Sequence, residues 1–216
     1  YNDWKSVSKL IEEINSKVSG LNGIFSIIIV NDASSEQQSI YAPNLENLQT
    51  VKIINMKENR GHARCNAAGL KYIFENEEFD YVIPMDGDGE DRPEEIKNFV
   101  EYISYTPDKT IVGERVKRNE NLFFKFCYSF HKILTFVFTG QSIKFGNFTC
   151  LPKSTVEKMI NDKATWSSFS GALAKIEKER SSVPSIRGVR YFGPSKMSFK
   201  NLIIHSLAII SVFKIN

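Results

Sequence analysis

The chain has 216 residues, 42% hydrophobic and 25% charged, enough for one domain with its own core. That composition excludes wholesale disorder, a collagen-like fibre and a coiled coil. Lys plus Arg is 28 against 25 for Asp plus Glu, so a net charge of +3 gives no case for nucleic acid as a partner. Taken in chain order, Asp3 to Val18 has apolar residues at Val7, Leu10, Ile11, Ile14 and Val18, which is helical spacing. Gly20 and Gly23 end it. Ile24–Val30 and Val51–Met56 read as buried strands, and Ala63–Phe74 as a helix introduced by Asn59-Arg60-Gly61. Phe79–Met85 is a third strand and runs straight into Asp86-Gly87-Asp88-Gly89-Glu90-Asp91. Pro93 opens a helix to about Tyr105, with Asp91 or Arg92 near its cap. A short strand follows at Thr110–Val112, and helical patterns return at Leu122–Phe138, Ser154–Ile160, Ser167–Lys178 and Ser198–Val212. Ser181 to Ser185 has linker composition.

Strands alternating with helices over the first 115 residues predict an α/β fold: a three-layer, mostly parallel sheet with helices on both faces. Ligands of such sheets bind beyond the carboxyl ends of the strands. Acidic residues follow two of the predicted strands there, at Asp32 and at Asp86 to Asp91. Three cysteines, Cys65, Cys127 and Cys150, lie far apart with no CxxC, which fits neither a disulfide framework nor a zinc cluster. No run reaches the roughly 20 apolar residues that cross a bilayer. Two stretches still lean toward a membrane surface. The phenylalanine-rich Asn121–Thr139, interrupted by Lys125, His131 and Lys132, suits an interface or a core. Leu202–Phe213 is apolar apart from His205 and two serines and suits an interface helix, with a buried core helix as the other reading.

Asp86, Asp88 and Glu90 stand at alternate positions on a glycine-loosened loop and repel one another unless a cation joins them. Hard oxygen donors suit Mg²⁺ or Mn²⁺, especially beside a substrate phosphate. An EF-hand does not fit: counted from Asp86, its sixth place holds Asp91 instead of Gly and its twelfth Lys97 instead of Glu. Asp32 is a candidate acceptor of hydrogen bonds from a nucleotide base or ribose; an ordinary strand-end turn made by Asx and Ser side chains is the other reading. No GxGxxG follows the first strand and no GxxxxGK[ST] occurs, which removes dinucleotide and P-loop chemistry. Arg190 and Lys196 bracket a Gly-Pro turn, and two cations there would hold a phosphate, with Arg115 reaching the same crevice. His62, His131 and His205 share no ligand spacing.

In this order the pieces resemble family 2 glycosyltransferases of the GT-A fold. Tyr1-Asn2-Asp3 is similar to the end of that family's P-x-Y-N-[ED], whose preceding strand would lie before residue 1. Val30-Asn31-Asp32-Ala33-Ser34 is similar to V-D-D-[GA]-S, with Asn31 at the first Asp. Asn59-Arg60-Gly61 with Asn66 and Gly69 is similar to N-x-G…N-x-G, and Asp86-Gly87-Asp88 to D-x-D. Arg190 to Lys196 resembles the R-x-x-G-[ED]-S-K of polyprenyl-phosphate glycosyltransferases, the dolichol-phosphate mannose synthase-like branch, with Pro194 at the acidic place. Lys125 and Ser129 have the spacing that branch uses to hold an acceptor phosphate, with Lys where Arg is usual.

The resemblance implies an inverting, metal-assisted transfer from a GDP- or UDP-linked sugar to a polyprenyl phosphate at the cytoplasmic face of a membrane. Residues 1–196 would form the catalytic domain and 197–216 the start of a membrane-proximal helix. Asp32, Gly61, Arg64 and Asp86 would meet the nucleotide. Asp86, Asp88 and Glu90 would hold the metal, Asp88 and Arg115 would act in catalysis, and Lys125, Ser129, Arg190 and Lys196 would bind the lipid phosphate. Transfer to a sugar hydroxyl in cell-surface polysaccharide, and a non-catalytic nucleotide-binding domain at the membrane, stay open beside it.

Overall fold

The structure is a computed structural model, and it describes residues 1–40, 45–117, 140, 143–193, 207–209 and 211–213. The expected helix over Leu122–Phe138, with Lys125 and Ser129, lies outside the described residues, as do Lys196 and most of Ser198–Val212.

Helix α1 (Trp4–Lys17) follows the apolar spacing of its sequence and buries Leu10 and Ile11. Strands β1 (Ser26–Asn31) and β2 (Thr50–Asn55) pair in parallel, from Ser26 opposite Thr50 to Asn31 opposite Asn55. Helix α2 (His62–Asn76) comes next, then the short β3 (Tyr81–Val82). A 3₁₀ turn at Pro93–Glu95 leads into α3 (Ile96–Tyr105). β4 (Ile111–Lys117), β5 (Thr149–Pro152), α4 (Lys153–Asn161), a 3₁₀ turn at Lys163–Trp166, α5 (Phe169–Ile176) and β6 (Ser181–Ile186) complete the described elements. The order in the second sheet is β3-β5-β4-β6.

The period of two along each strand builds three layers. Tyr81, Ile111 and Cys150 point to one face, where they pack with Phe99 of α3. Their neighbours Val82, Val112 and Leu151 point to the other, against Leu70 of α2, Val156 and Met159 of α4 and Phe169 and Leu173 of α5. Ile27 and Ile29 of β1 face the α1 side with Ile11 and Ile96. Phe99 meets Phe148 edge to face, with centroids 4.9 Å apart at 80°.

The α/β class and the helices on both faces match expectation; the strand pairing is more mixed. β4 and β6 run parallel, but β5 is antiparallel to both β3 and β4. The reason lies in residues 143–148, which fold back along β4: Arg115 N–H donates to Lys144 O at 3.1 Å and Gly113 N–H to Phe148 O at 3.0 Å. β5 then continues that return. The linker-like Ser181–Ser185 is a strand as well, at the sheet edge, where Pro184 can lack an N–H without breaking a ladder. The strand expected at Thr110–Val112 extends to Lys117, so Arg115 lies within it.

Among the described residues β1 and β3 share no ladder. Ile27 to Val30 are therefore only half-buried. A cleft of about 2780 Å³ runs between these strands, with α1 on one side and α2 on the other. Near the chain's end, residues 207–209 and 211–213 are helical. Ile209 and Val212 are buried and Phe213 packs on the core, so these three positions face protein; Leu207 faces solvent.

Candidate active site

β1 ends at Asn31, and the local chemistry there is a turn. The Asn31 amide donates to Asn55 Oδ1 at 2.8 Å, and its own Oδ1 accepts the Ser34 N–H at 3.1 Å. Ala33 sits at φ 52°, a left-handed conformation that suits the Gly-or-Ala place in the motif. Asp32 is buried, and its two carboxylate oxygens accept the N–H groups of Arg60 and Gly61 at 2.7 and 2.8 Å. The carboxylate thus ties the end of β1 to the loop that opens α2, where Gly61 takes φ 80°. Cys65 lies beside it, its thiol pushed up to about 12 by burial and by the Asp32 charge. Arg64, one turn into α2, lines the same cleft and donates from Nη1 to Arg60 O at 3.4 Å.

The loop after β3 supplies the acidic group. Asp91 does not cap the next helix; Arg92 takes the N-cap place, with no side-chain cap bond. Asp91 instead turns back, and its Oδ2 accepts the Asp86 N–H at 2.9 Å, tying the two ends of the loop together. Burial first, then the Asp86 charge, pushes the Asp91 carboxyl up to about 7, against the pull of Arg115 and Arg187. Asp86 Oδ1 accepts from the Asn147 amide at 3.1 Å. Asp88 Oδ1 accepts the Glu90 N–H at 3.0 Å, and its Oδ2 accepts Arg190 Nη1 at 2.6 Å. Burial, more than any other cause, raises the Asp88 carboxyl from its ordinary value. Glu90 pairs with Arg187.

Arg190 has a second partner, far away in sequence: its Nη2 donates to Asp3 Oδ2 at 2.5 Å. The other Asp3 oxygen accepts the Ser6 hydroxyl at 2.5 Å. Asn2 is held as firmly, its N–H donating to Ser34 Oγ at 2.9 Å and its Oδ1 accepting the Ser35 N–H at 2.9 Å. Arg115, on β4, reaches toward Gly146, where an added Cβ would stand 2.6 Å from its Nη2.

The structure thus gathers Asp32, Gly61, Arg64, Asp86, Asp88, Glu90, Arg115 and Arg190 around one cleft. Lys125, Ser129 and Lys196 lie outside the described residues. Asp3, Asn147 and Arg187 join the site without having been singled out by sequence. Asp3 did carry a signal, since it stands at the acidic place of the opening motif. As donors, Asp86, Asp88 and Glu90 suit a hard cation. As folded they do not fit one: each is committed to another partner, and among the described residues no three His, Cys, Asp or Glu side chains form a group able to hold a metal ion.

A model of the family described as Glycosyl transferase family 2 matches residues 1–166. The chain belongs to that family, and its three-layer α/β architecture is consistent with the GT-A fold. Its relatives include the undecaprenyl-phosphate 4-deoxy-4-formamido-L-arabinose transferases of Salmonella choleraesuis, Salmonella paratyphi B and Salmonella newport, each 27% identical over 210 residues. That alignment covers 94% of this chain and 62% of each relative. No helix among the described residues is long and apolar enough to cross a membrane.

Proposed function

We propose that this chain carries the catalytic part of an inverting glycosyltransferase that moves a sugar from a nucleotide-sugar to a polyprenyl phosphate. One observation carries the reading: a half-buried arginine, Arg190, sits against the acidic loop in the cleft of a family 2 chain. The relatives' name, with undecaprenyl phosphate as acceptor, supports the lipid half.

The chemistry follows from the groups present. A phosphate monoester is already ionised at neutral pH, so the nucleophile needs no strong base. Its oxygen attacks the anomeric carbon as the bond from that carbon to the diphosphate breaks, and the electron pair leaves with the nucleoside diphosphate. In-line attack inverts the anomeric centre. Asp32 shapes the nucleoside side by fixing the Arg60-Gly61 turn, with Arg64 beside it. Arg115 and Arg190 place and screen phosphate oxygens through charge-assisted hydrogen bonds. Lys125, Ser129 and Lys196 complete the acceptor site in this reading, and the enzyme works at the cytoplasmic face of the membrane. Asp86, Asp88 and Glu90 are the oxygen donors that would hold Mg²⁺ or Mn²⁺ and neutralise the diphosphate, were Asp88 and Glu90 free of Arg190 and Arg187.

The test is transfer by the full chain in detergent, with undecaprenyl phosphate and radiolabelled GDP- and UDP-sugars. The expected product is a labelled lipid phosphate, formed at least about 100-fold more slowly (kcat/KM) by Arg190→Ala, the scale of losing one strong electrostatic donor. Label appearing only on sugar hydroxyls would contradict the acceptor assignment.

A further inference from the structure

Among the described residues β6 lies at the sheet edge, and the backbone groups of such a strand point alternately inward and outward. The Ser181 N–H donates inward to Thr110 O at 2.9 Å, so residues 183 and 185 also face β4 and residues 182, 184 and 186 face outward. Pro184 has no N–H to leave on that side. Ile186 has one, and Glu95 meets it: its Oε1 accepts the bond at 2.9 Å. Ile186 is the last residue of β6, just past an irregularity in the ladder between Arg115 and Lys117. The bond therefore stands where the strand stops and the chain turns toward the acidic loop. Beyond it the Gly188 N–H donates to Glu90 O at 2.8 Å and the Tyr191 N–H to Asp88 O at 3.0 Å.

Glu95 is an unexpected residue for that place. It is buried, and among the described residues its Oε2 has no hydrogen-bond partner. Arg92 Nη1 stands 3.9 Å from Oε1, and Arg92 Nε donates to Glu94 instead, at 2.8 Å. A half-satisfied carboxylate is costly in a protein interior. Closing one edge N–H does not account for it, since Pro184 closes the edge without burying a polar group. The bond also joins three pieces of the site. Glu95 ends the 3₁₀ turn Pro93–Glu95, which follows the acidic loop. Arg92, at the start of the same turn, packs against Gly188, where an added Cβ would stand 3.1 Å from Arg92 Cγ and 3.0 Å from Gly89 O. One turn thus fixes both the exit of the acidic loop and the start of the segment that carries Arg187 and Arg190.

We propose that Glu95 is a positioning residue of the cleft: its carboxylate pins the end of β6 to the turn that follows the acidic loop, so that Arg187 and Arg190 leave the sheet from a fixed point. This rests on the reading above, in which Arg115 and Arg190 together place phosphate oxygens. Glu95 acts through the arginines. Arg115 belongs to β4, and β6 pairs with β4, so the Glu95 bond sets Arg190 relative to Arg115. Without it, residues 187–191 are held by the acidic loop and, through Arg190, by Asp3 at the start of α1; neither is part of the sheet. A misplacement of about 1 Å at such a group costs up to about 100-fold in rate.

The test combines hydrogen exchange and sugar transfer on the full chain. In Glu95→Ala the Gly188 and Tyr191 amides are expected to exchange about tenfold faster, the scale of one lost bond to a carboxylate, while the Gly113 amide of β4 keeps its rate. Transfer from radiolabelled GDP- or UDP-sugar to undecaprenyl phosphate is expected to fall about 10- to 100-fold in kcat/KM. Glu95→Gln, which keeps an acceptor oxygen for Ile186, recovers most of both. In an Arg190→Ala background Glu95→Ala costs little more, because the group it positions is gone. A loss that adds in full to that of Arg190→Ala would leave Glu95 a structural role only and overturn the inference. Unchanged exchange at both amides in folded Glu95→Ala would overturn it as well. Should Glu95→Ala fail to fold, Glu95→Asp, one methylene short of Ile186, gives the same readings at smaller amplitude. A wild type that transfers nothing to lipid phosphate would overturn the acceptor reading, and exchange at Gly188 and Tyr191 would then decide by itself whether Glu95 holds the segment.

Discussion

Asp32 shows how one carboxylate can be read two ways. In the motif it stands where a nucleotide contact is expected; in the fold it accepts two backbone N–H groups across the cleft wall. Removing a buried acceptor that serves two donors costs about 1–3 kcal/mol. Asp32→Ala is therefore expected to lose that much stability in urea unfolding, and Asp32→Asn, which keeps one acceptor oxygen, less. An Asp32→Ala variant as stable as wild type would show that the side chain serves ligand alone. Asp91 makes a prediction of the opposite electrostatic kind. Its folded carboxyl titrates near 7, above the ordinary 3.8, because it is buried beside Asp86. The folded state thus binds the proton more tightly than the unfolded state. The stability this gives is full below about pH 4 and is lost as pH rises through 7. Melting temperatures should show Asp91→Asn gaining on wild type steadily between pH 5 and 8, and a pH-independent difference would contradict the assignment. Asp32, Asp86 and Asp88 were legible in sequence because their spacing is local. The Asp3–Arg190 pair was not: its partners are 187 residues apart, and only the fold brings them together.

Elements differ in how plainly the sequence wrote them. α1, α2 and α3 carry apolar residues at helical spacing, and each forms within a few residues of expectation. β5 is four residues long and buried on both faces, so it has no alternation to read. β6 alternates, but its inward positions are Val183 and Ser185, and serine next to proline looks like a loop. Packing between elements explains one glycine of the N-x-G…N-x-G pattern. A Cβ on Gly69 of α2 would stand 2.9 Å from Val30 Cγ2 of β1. Gly69→Ala is expected to force helix and strand apart and cost about 1–3 kcal/mol despite the better helix propensity of alanine. Calorimetric unfolding that finds Gly69→Ala neutral or stabilising would mean the contact yields freely.

At the scale of the molecule the outstanding feature is the cleft between β1 and β3, which continues from the site into the body of the sheet. Ligand pockets usually measure about 300–1,000 Å³; about 2780 Å³ is too large for one, because the space also separates the edges of β1 and β3, which share no ladder among the described residues. Asn2 is tied to the turn that follows β1 through Ser34 and Ser35. The family and fold class were readable from ordered local motifs. The way β1 and β3 stand apart, like the pairing of Arg187 and Arg190 with the acidic loop, depends on tertiary contacts that no local pattern encodes.

The central claim is that this cleft binds a nucleotide-sugar donor through the loop of Asp86, Asp88 and Glu90. The most direct measurement is calorimetric binding of GDP, UDP and dTDP to the full chain, with and without Mn²⁺, for wild type and Asp88→Asn. The account predicts that one nucleotide binds, that Mn²⁺ strengthens it, and that Asp88→Asn removes the strengthening. Folded protein that binds none of the three under either condition would contradict it.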